Sequence, residues 1–407
     1  MTDFPTITSL PFVFTLDKNG RSQLTVGVAL SDGQRFWADC VDVPAASRMD
    51  ETAVFDPIQA ANHIQHLIEP VWLGQTVAEF RPLAQKLLPL TETFTYTKVP
   101  PPHPEPATGA VSRRQLISGF LADDAPTLLQ KESVKVKRPL HPAMQYGLTA
   151  ALLPAVAAAN RVSVTKLVAQ EYGVELEETA VPLQMPLNDQ NVQAAQTILT
   201  AHVASVGYTT GKENHKAILG ENGERLQQHV RQIAAWLPSL DPSFQPTIHL
   251  DLRGGLGELF ENNGGKVLGA IYGLEQATKP YTLLIQNPIW HHDLVAQIIY
   301  SKDLTSYLRI RRMNTKLVAD AWVDSLETAE QFSDPKICHM IHLELPRLGN
   351  LDVGITAVLH AHTQNHPVIL SGTPTPLTTQ IAIAIRPTQL QGNPLVHFNE
   401  MQKTLSQ

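Results

Sequence analysis

From Ala180 to the C-terminus the chain carries a regular beat of short apolar runs, at 180–185, 202–206, 246–251, 281–286, 316–320, 339–344, 367–371 and 394–398. Segments of helix length and polar patterning separate most of them. Apolar strand, amphipathic helix and apolar strand make one βαβ unit. Residues 316–350 show it best. Leu317-Val318-Ala319 ends in Asp320, and Leu326, Ala329 and Phe332 mark a helical face with Glu327 and Glu330 turned outward. A second apolar run then ends in His342 and Glu344. Eight strands alternating with helices over about 220 residues predict a closed (β/α)8 barrel of the TIM type, not an open doubly wound sheet. Gly254-Gly-Leu-Gly257 lacks the spacing and the acidic partner of a dinucleotide-binding loop.

Before Ala180 the rhythm differs. Residues 5–43 alternate in the strand manner, broken by Asp17-Lys-Asn-Gly20 and Ser31-Asp-Gly33, which predicts an antiparallel meander. Helices are expected at Pro57–Glu69, Thr76–Leu88, Pro142–Asn160 and Val164–Tyr172, the last closed by Gly173. The proline-rich stretch 98–110 reads as a surface loop or linker, and 112–131 as a helix broken near Pro126. The expected layout is an N-terminal α+β capping domain over residues 1–165 and a barrel over 166–407.

Bulk numbers exclude several functions. With 407 residues, 43% apolar and 17% charged, the chain is globular and can bury a large core. A net charge of −7 leaves no basic footprint for nucleic acid. Cys40 and Cys338 are too few for a disulfide framework. No apolar run approaches a membrane span and no leader is evident, so a soluble, cytoplasmic protein is expected.

Longer strings resemble a known family. Asp251 stands in HLDLRGGLGELF, followed by a strand TLLIQNP, the string LVADAW, and HMIHLELPRLGN. SDGQRFWADC near residue 35, LHPAMQYGLTAALLPAVA near 145 and LSGTPT near 371 have counterparts too. Together they resemble methylaspartate ammonia-lyase of the enolase superfamily over nearly the whole chain. The resemblance implies three strand-end acids around Mg²⁺, a Lys base at the sixth strand, and an opposing His after the second. It carries over Asp251 as first ligand and Asp320 as third; the middle ligand, normally Glu, is Gln286. The Lys falls on Glu344, and the His near Val206, with His202 the only imidazole nearby. Of the implied substrate contacts, the sixth-strand Gln falls on His342, the first-strand Gln is displaced to Gln184, and Thr373 matches.

The residues themselves leave alternatives open. Asp251, Gln286 and Asp320 offer the oxygen ligands a hard cation needs. They also suit pairing of the acids with Arg253 or Arg347. The family pattern of three carboxylates and one Lys sums to −2, whereas Asp251, Asp320 and Glu344 sum to −3, which favours a cation. The superfamily abstracts a proton next to a carboxylate while metal holds the enolate charge. Here the base is Glu344, or His342 on the same strand face; a packed or Arg-paired role is the alternative for each. Ser371-Gly-Thr373 is an anion cradle or a plain turn. His291-His292 is a candidate substrate contact, and His360, His362 and His366 read as surface. Without G-x-S-x-G or a well-placed Cys, acyl transfer has no support. The expected function is a metal-assisted lyase or isomerase acting on a small carboxylate. Its rival is an inactive member kept as a binding or complex-forming subunit. A homodimer is expected from the resemblance and from the nearly uncharged helix Pro142–Asn160.

Overall fold

A hairpin turn at Ser31–Gly33 sets up the N-terminal sheet. Gly33 takes a left-handed φ of +87°, and the Leu30 amide closes the turn on the Gln34 carbonyl. The computed structural model describes residues 4–16, 22–46, 55–98, 132–177, 179–187, 190–211 and 215–406. The turn at Asp17–Gly20, the proline-rich loop beyond Lys98 and the 112–131 segment lie outside the described residues. The sheet comprises β1 (Ile7–Ser9), β2 (Phe12–Leu16), β3 (Ser22–Leu30) and β4 (Arg35–Asp39), with β3 pairing antiparallel to the other three. β5 (Thr91–Lys98) and β6 (Glu132–Pro139) form an antiparallel hairpin within a separate small unit, Leu90–Leu140. Everything else, Met1–Pro89 and His141–Gln407, belongs to one unit. The expected boundary at 165/166 lies inside this unit and within the helix Val164–Tyr172.

The cap sheet packs on the helix Pro142–Ala159 through Val26 and Cys40. A Cβ on Gly147 would stand 2.7 Å from Cys40 Sγ, so only glycine allows the helix this close to the sheet. Most of that helix is buried within the chain. The apolar surface that suited a subunit interface is therefore already covered. Among the described residues no single helix is long and apolar enough to cross a membrane; the bent pair Pro142–Ala159 and Val164–Tyr172 has that composition but is largely core.

The barrel consists of β7 (Leu183–Pro186), β8 (Ser205–Thr209), β9 (Thr247–Asp251), β10 (Leu283–Gln286), β11 (Lys316–Ala319), β12 (Met340–Glu344), β13 (Val368–Ser371) and β14 (Gln389–Gln391). All pair in parallel, and β14 closes on β7. Leu284, Val318, Met340 and Ile369 fill one interior layer. Three strands differ from the expected runs: the first begins at Leu183, three residues late, and ends at Pro186. The second begins at Ser205, three residues late, so it ends at Thr209. The eighth is the polar triplet Gln389–Gln391, and the run at 394–398 is the first turn of a helix. Asn393 caps that helix by accepting from the Leu395 and Val396 amides, and Pro394 opens it. His366 is also not a surface residue: it is buried, with Nε2 3.6 Å from Cys338 Sγ.

Candidate active site

At the C-terminal edge of the barrel, six strands deliver polar residues to a cavity of about 360 Å³. Asp251, Gln286, His342, Glu344 and Ser371 come from β9, β10, β12 and β13; Asp320 directly follows β11. Thr209 and Gln391 complete the ring, and Val43 and Pro44 cover it from the cap. Arg253 and Asn287, just beyond β9 and β10, both hold φ at +47°. A side chain in the left-handed region costs about 1 kcal/mol or more, and such residues gather where a site fixes the backbone.

Asp320 is the hub. Its Oδ1 accepts from Arg347 Nη1 and stands 3.1 Å from His342 Nδ1. Its Oδ2 accepts from Gln286 Nε2 and Asn287 Nδ2, both at 3.0 Å. Burial by itself would raise its pKa, but Arg347 and then His342 outweigh burial and hold the carboxyl well below the usual range. Arg347 is buried as well. It donates from Nε to the Pro44 carbonyl at 3.2 Å and from Nη2 to Glu344 Oε2 at 2.8 Å. Burial opposes its charge, yet Asp320 and Glu344 raise its pKa above the ordinary guanidinium value. Arg347 thus joins two strand-end acids, the pairing that was open as the alternative to metal.

The ionised Asp320 fixes the His342 tautomer. Beside a carboxylate, Nδ1 must carry its hydrogen, because a lone pair there would face negative charge. The contact from Gln286 Nε2 to Nδ1, 3.4 Å, is then a meeting of two donors and no bond. In the neutral ring Nε2 then has the lone pair and accepts from the Ser371 hydroxyl at 2.8 Å. Asp251 is different again. Burial, and then the nearby charge of Asp320, raise its pKa; Arg253, whose Nε is 3.5 Å away, opposes them only in part.

These residues do not fit Mg²⁺. A carboxylate has about four lone-pair positions, and four donors from Arg347, His342, Gln286 and Asn287 already face those of Asp320. Gln286 turns its amide nitrogen, not its carbonyl, to Asp320, and its buried Oε1 has no partner among the described residues. The reversed amide would set oxygen against carboxylate. A buried guanidinium within the set further repels a cation. No group of three or more His, Cys, Asp or Glu among the described residues is arranged to hold a metal.

The expected substrate contacts fare unevenly. Ser371 lines the cavity. Gln184 lies one layer deeper, because Pro186 is the β7 residue at the mouth; its Nε2 bonds His249 Nδ1. Burial, reinforced by His342, pushes His249 down to about 3, so it is neutral. His202 does not belong to the site. It precedes β8 at the opposite end of the barrel, exposed, at φ +48°, with its ring 6.0 Å from that of Phe398. Val206 is equally remote, since the late start of β8 makes Thr209 the residue at the mouth. Thr373 is at the rim and does not line the cavity; its hydroxyl is paired with Tyr146 OH at 2.7 Å. His291 and His292 do not line it either. Thr209, Asn287 and Gln391 were not anticipated, since nothing in a lone polar residue at a strand end marks it in sequence.

A closed parallel barrel with acids at its strand ends and an α+β cap places the chain among enolase-superfamily proteins. A family model for the methylaspartate ammonia-lyase C-terminus matches residues 175–406, and one for the N-terminus matches 117–173. The chain belongs to the methylaspartate ammonia-lyase family. Methylaspartate ammonia-lyase 2 of Carboxydothermus hydrogenoformans is 28% identical over 284 residues, 66% of this chain and 68% of that one. A structure of Citrobacter amalonaticus methylaspartate ammonia lyase containing (2S,3S)-3-methylaspartic acid superposes with a TM-score of 0.77 at 22% identity, covering 98% of this chain and 99% of that one. The Mg complex of Clostridium tetanomorphum β-methylaspartase gives 0.73 at 20% identity, covering 98% of each.

Proposed function

We propose that this chain is a lyase or isomerase diverged within its family, which moves a proton on a small carboxylate through His342 without metal assistance. The observation that carries this reading is the clamp on the imidazole. Asp320 holds Nδ1, and Nε2 meets the cavity through the Ser371 hydroxyl. Arg253, with 38% of its side chain exposed and only a 3.5 Å contact to Asp251, is the cavity cation that receives a substrate carboxylate. Glu344, two residues on from His342, is the second acid/base group, steadied by Arg347. The names of the relatives, methylaspartate ammonia-lyases, support the substrate class. Positioned acid/base groups supply about 10²–10⁴-fold. In D₂O, aspartate, 3-methylaspartate or a related small acid should exchange the proton next to a carboxylate, as followed by NMR. His342→Gln should slow that exchange about 10²-fold or more. Exchange undiminished in the variant would sink the reading.

One feature favours a second reading, a binding subunit without catalysis. Arg347 bridges both Asp320 and Glu344, which ties the two acids into one salt-bridged network. Absence of exchange with every small carboxylate tried would select it.

A homodimer is also proposed. With Pro142–Ala159 buried internally, its support is the exposed face of helix Leu294–Ile310, where Val295, Ile299, Tyr307 and Ile310 lie open to solvent. Apolar patches of this kind mark interfaces. Light scattering at micromolar concentration should give twice the chain mass; a monomer mass would refute it. A cytoplasmic setting agrees with two free, buried cysteines.

A further inference from the structure

We infer that Asp320, His342 and Ser371 form a nucleophilic relay, with Ser371 Oγ the attacking atom and a small ester or similarly activated acyl compound the substrate class. The chain order and the fold are not those of a serine hydrolase, and no nucleophile-elbow motif is present. Such relays are recognised by geometry and roles, not by sequence position. Here the carboxylate meets Nδ1 at 3.1 Å and the hydroxyl meets Nε2 at 2.8 Å, the two contacts such a relay requires.

Three further observations support it. His342 has both ring nitrogens engaged and only 5% exposure, and the partner of its Nε2 is the Ser371 hydroxyl. All three residues line the same cavity, which lies within the usual range for a small-molecule pocket. The carboxylate is itself held rigidly by Gln286 and Asn287, as the third member of a relay must be to fix the imidazole. Arg347 shares Oδ1 and partly offsets the charge that would stabilise an imidazolium, so turnover is expected to be slow.

The step balances without redox chemistry. As Ser371 Oγ bonds to the acyl carbon, its proton passes to His342 Nε2. The bond from that carbon to the leaving oxygen breaks, and this oxygen departs with the proton from Nε2. Water then adds to the acyl carbon, giving a proton to Nε2; the Oγ–acyl bond breaks, and Oγ recovers the proton. Ester and water become acid and alcohol.

The inference shares His342 with the proton-transfer reading but not its substrate or its reacting atom. The test uses the full chain and diisopropyl fluorophosphate, with intact-mass and peptide mass spectrometry, and p-nitrophenyl acetate in parallel. The expected result is one label per chain on Ser371 and an initial burst of nitrophenolate. His342→Gln, shown folded by its melt, should label at least 10²-fold more slowly. A folded wild type that takes no label, takes it elsewhere, or labels equally fast as His342→Gln overturns the relay. The wild-type arm stands even where the variant fails to fold. Proton exchange in D₂O without labelling would leave the reading above intact and remove this one.

Discussion

Arg347→Met should lower the thermal midpoint further than other single changes at the barrel mouth. The guanidinium is buried and serves Asp320, Glu344 and the Pro44 carbonyl together. Its removal leaves Asp320 as a buried charge without its guanidinium partner, and breaking a buried pair from one side costs about 3–5 kcal/mol. Glu344→Gln should be milder, about 1 kcal/mol or less, because Glu344 is a quarter exposed and Arg347 keeps Asp320. Acid adds a second signature. The folded-state pKa of Asp320 is depressed, so its contribution to stability is present above the unfolded value of about 3.9 and is lost as pH falls below it. Arg347→Met removes the largest favourable cause of that depression, so the loss of stability in acid should be shallower in the variant. Urea or thermal melts at pH 7 and pH 3 measure both. A midpoint unchanged at pH 7 would show that Arg347 is not the counterion described.

The barrel was legible because seven of its strands are apolar, and a run bounded by helical periodicity can take only one place in such a fold. The eighth was not, since Gln389-Leu-Gln391 has no apolar run, while Leu395 and Val396 nearby imitate one. The apolar pattern puts β8 three residues early for a related reason. Val203 and Ala204 extend the apolar run backwards although His202, at positive φ, already turns the chain. The convergence of Asp251, Gln286, Asp320, His342, Glu344 and Ser371 followed from their positions at strand ends. Their roles did not follow. Whether an acid holds metal or arginine is decided by the path of Arg347, and that side chain is held by the carbonyl of Pro44, 303 residues away in the chain. Likewise the Asp320–His342–Ser371 alignment joins three different strands, and no spacing within the chain encodes it.

Incubated with 3-methylaspartate and Mg²⁺, the protein should release ammonia at least about 10⁴-fold more slowly than an ordinary enzyme turning over at 1–10³ per second. Two independent deficits lead to this. Glu344 stands where the resemblance requires an amine base, and at neutral pH it cannot supply a lysine's proton chemistry while salt-bridged to Arg347 at 2.8 Å. Opposite it, Thr209 and not an imidazole ends the second strand. Either loss removes about 10²–10⁴-fold, although residues that act together do not contribute additively. The metal supplies an independent check. A site with Kd near 0.1 mM, filled at 10 mM Mg²⁺, would add about 2.7 kcal/mol to folding stability, which a melt reads directly. With Asp320 saturated by four donors, no such shift is expected, and Ca²⁺ or Mn²⁺ should do no better. Gln286→Glu alone should not restore one, because Arg347 would still occupy Asp320. Mesaconate and ammonia formed at ordinary enzyme rates, or a clear rise of the melt with Mg²⁺, would mean that Arg347 yields its place to metal and that the family chemistry survives in this chain.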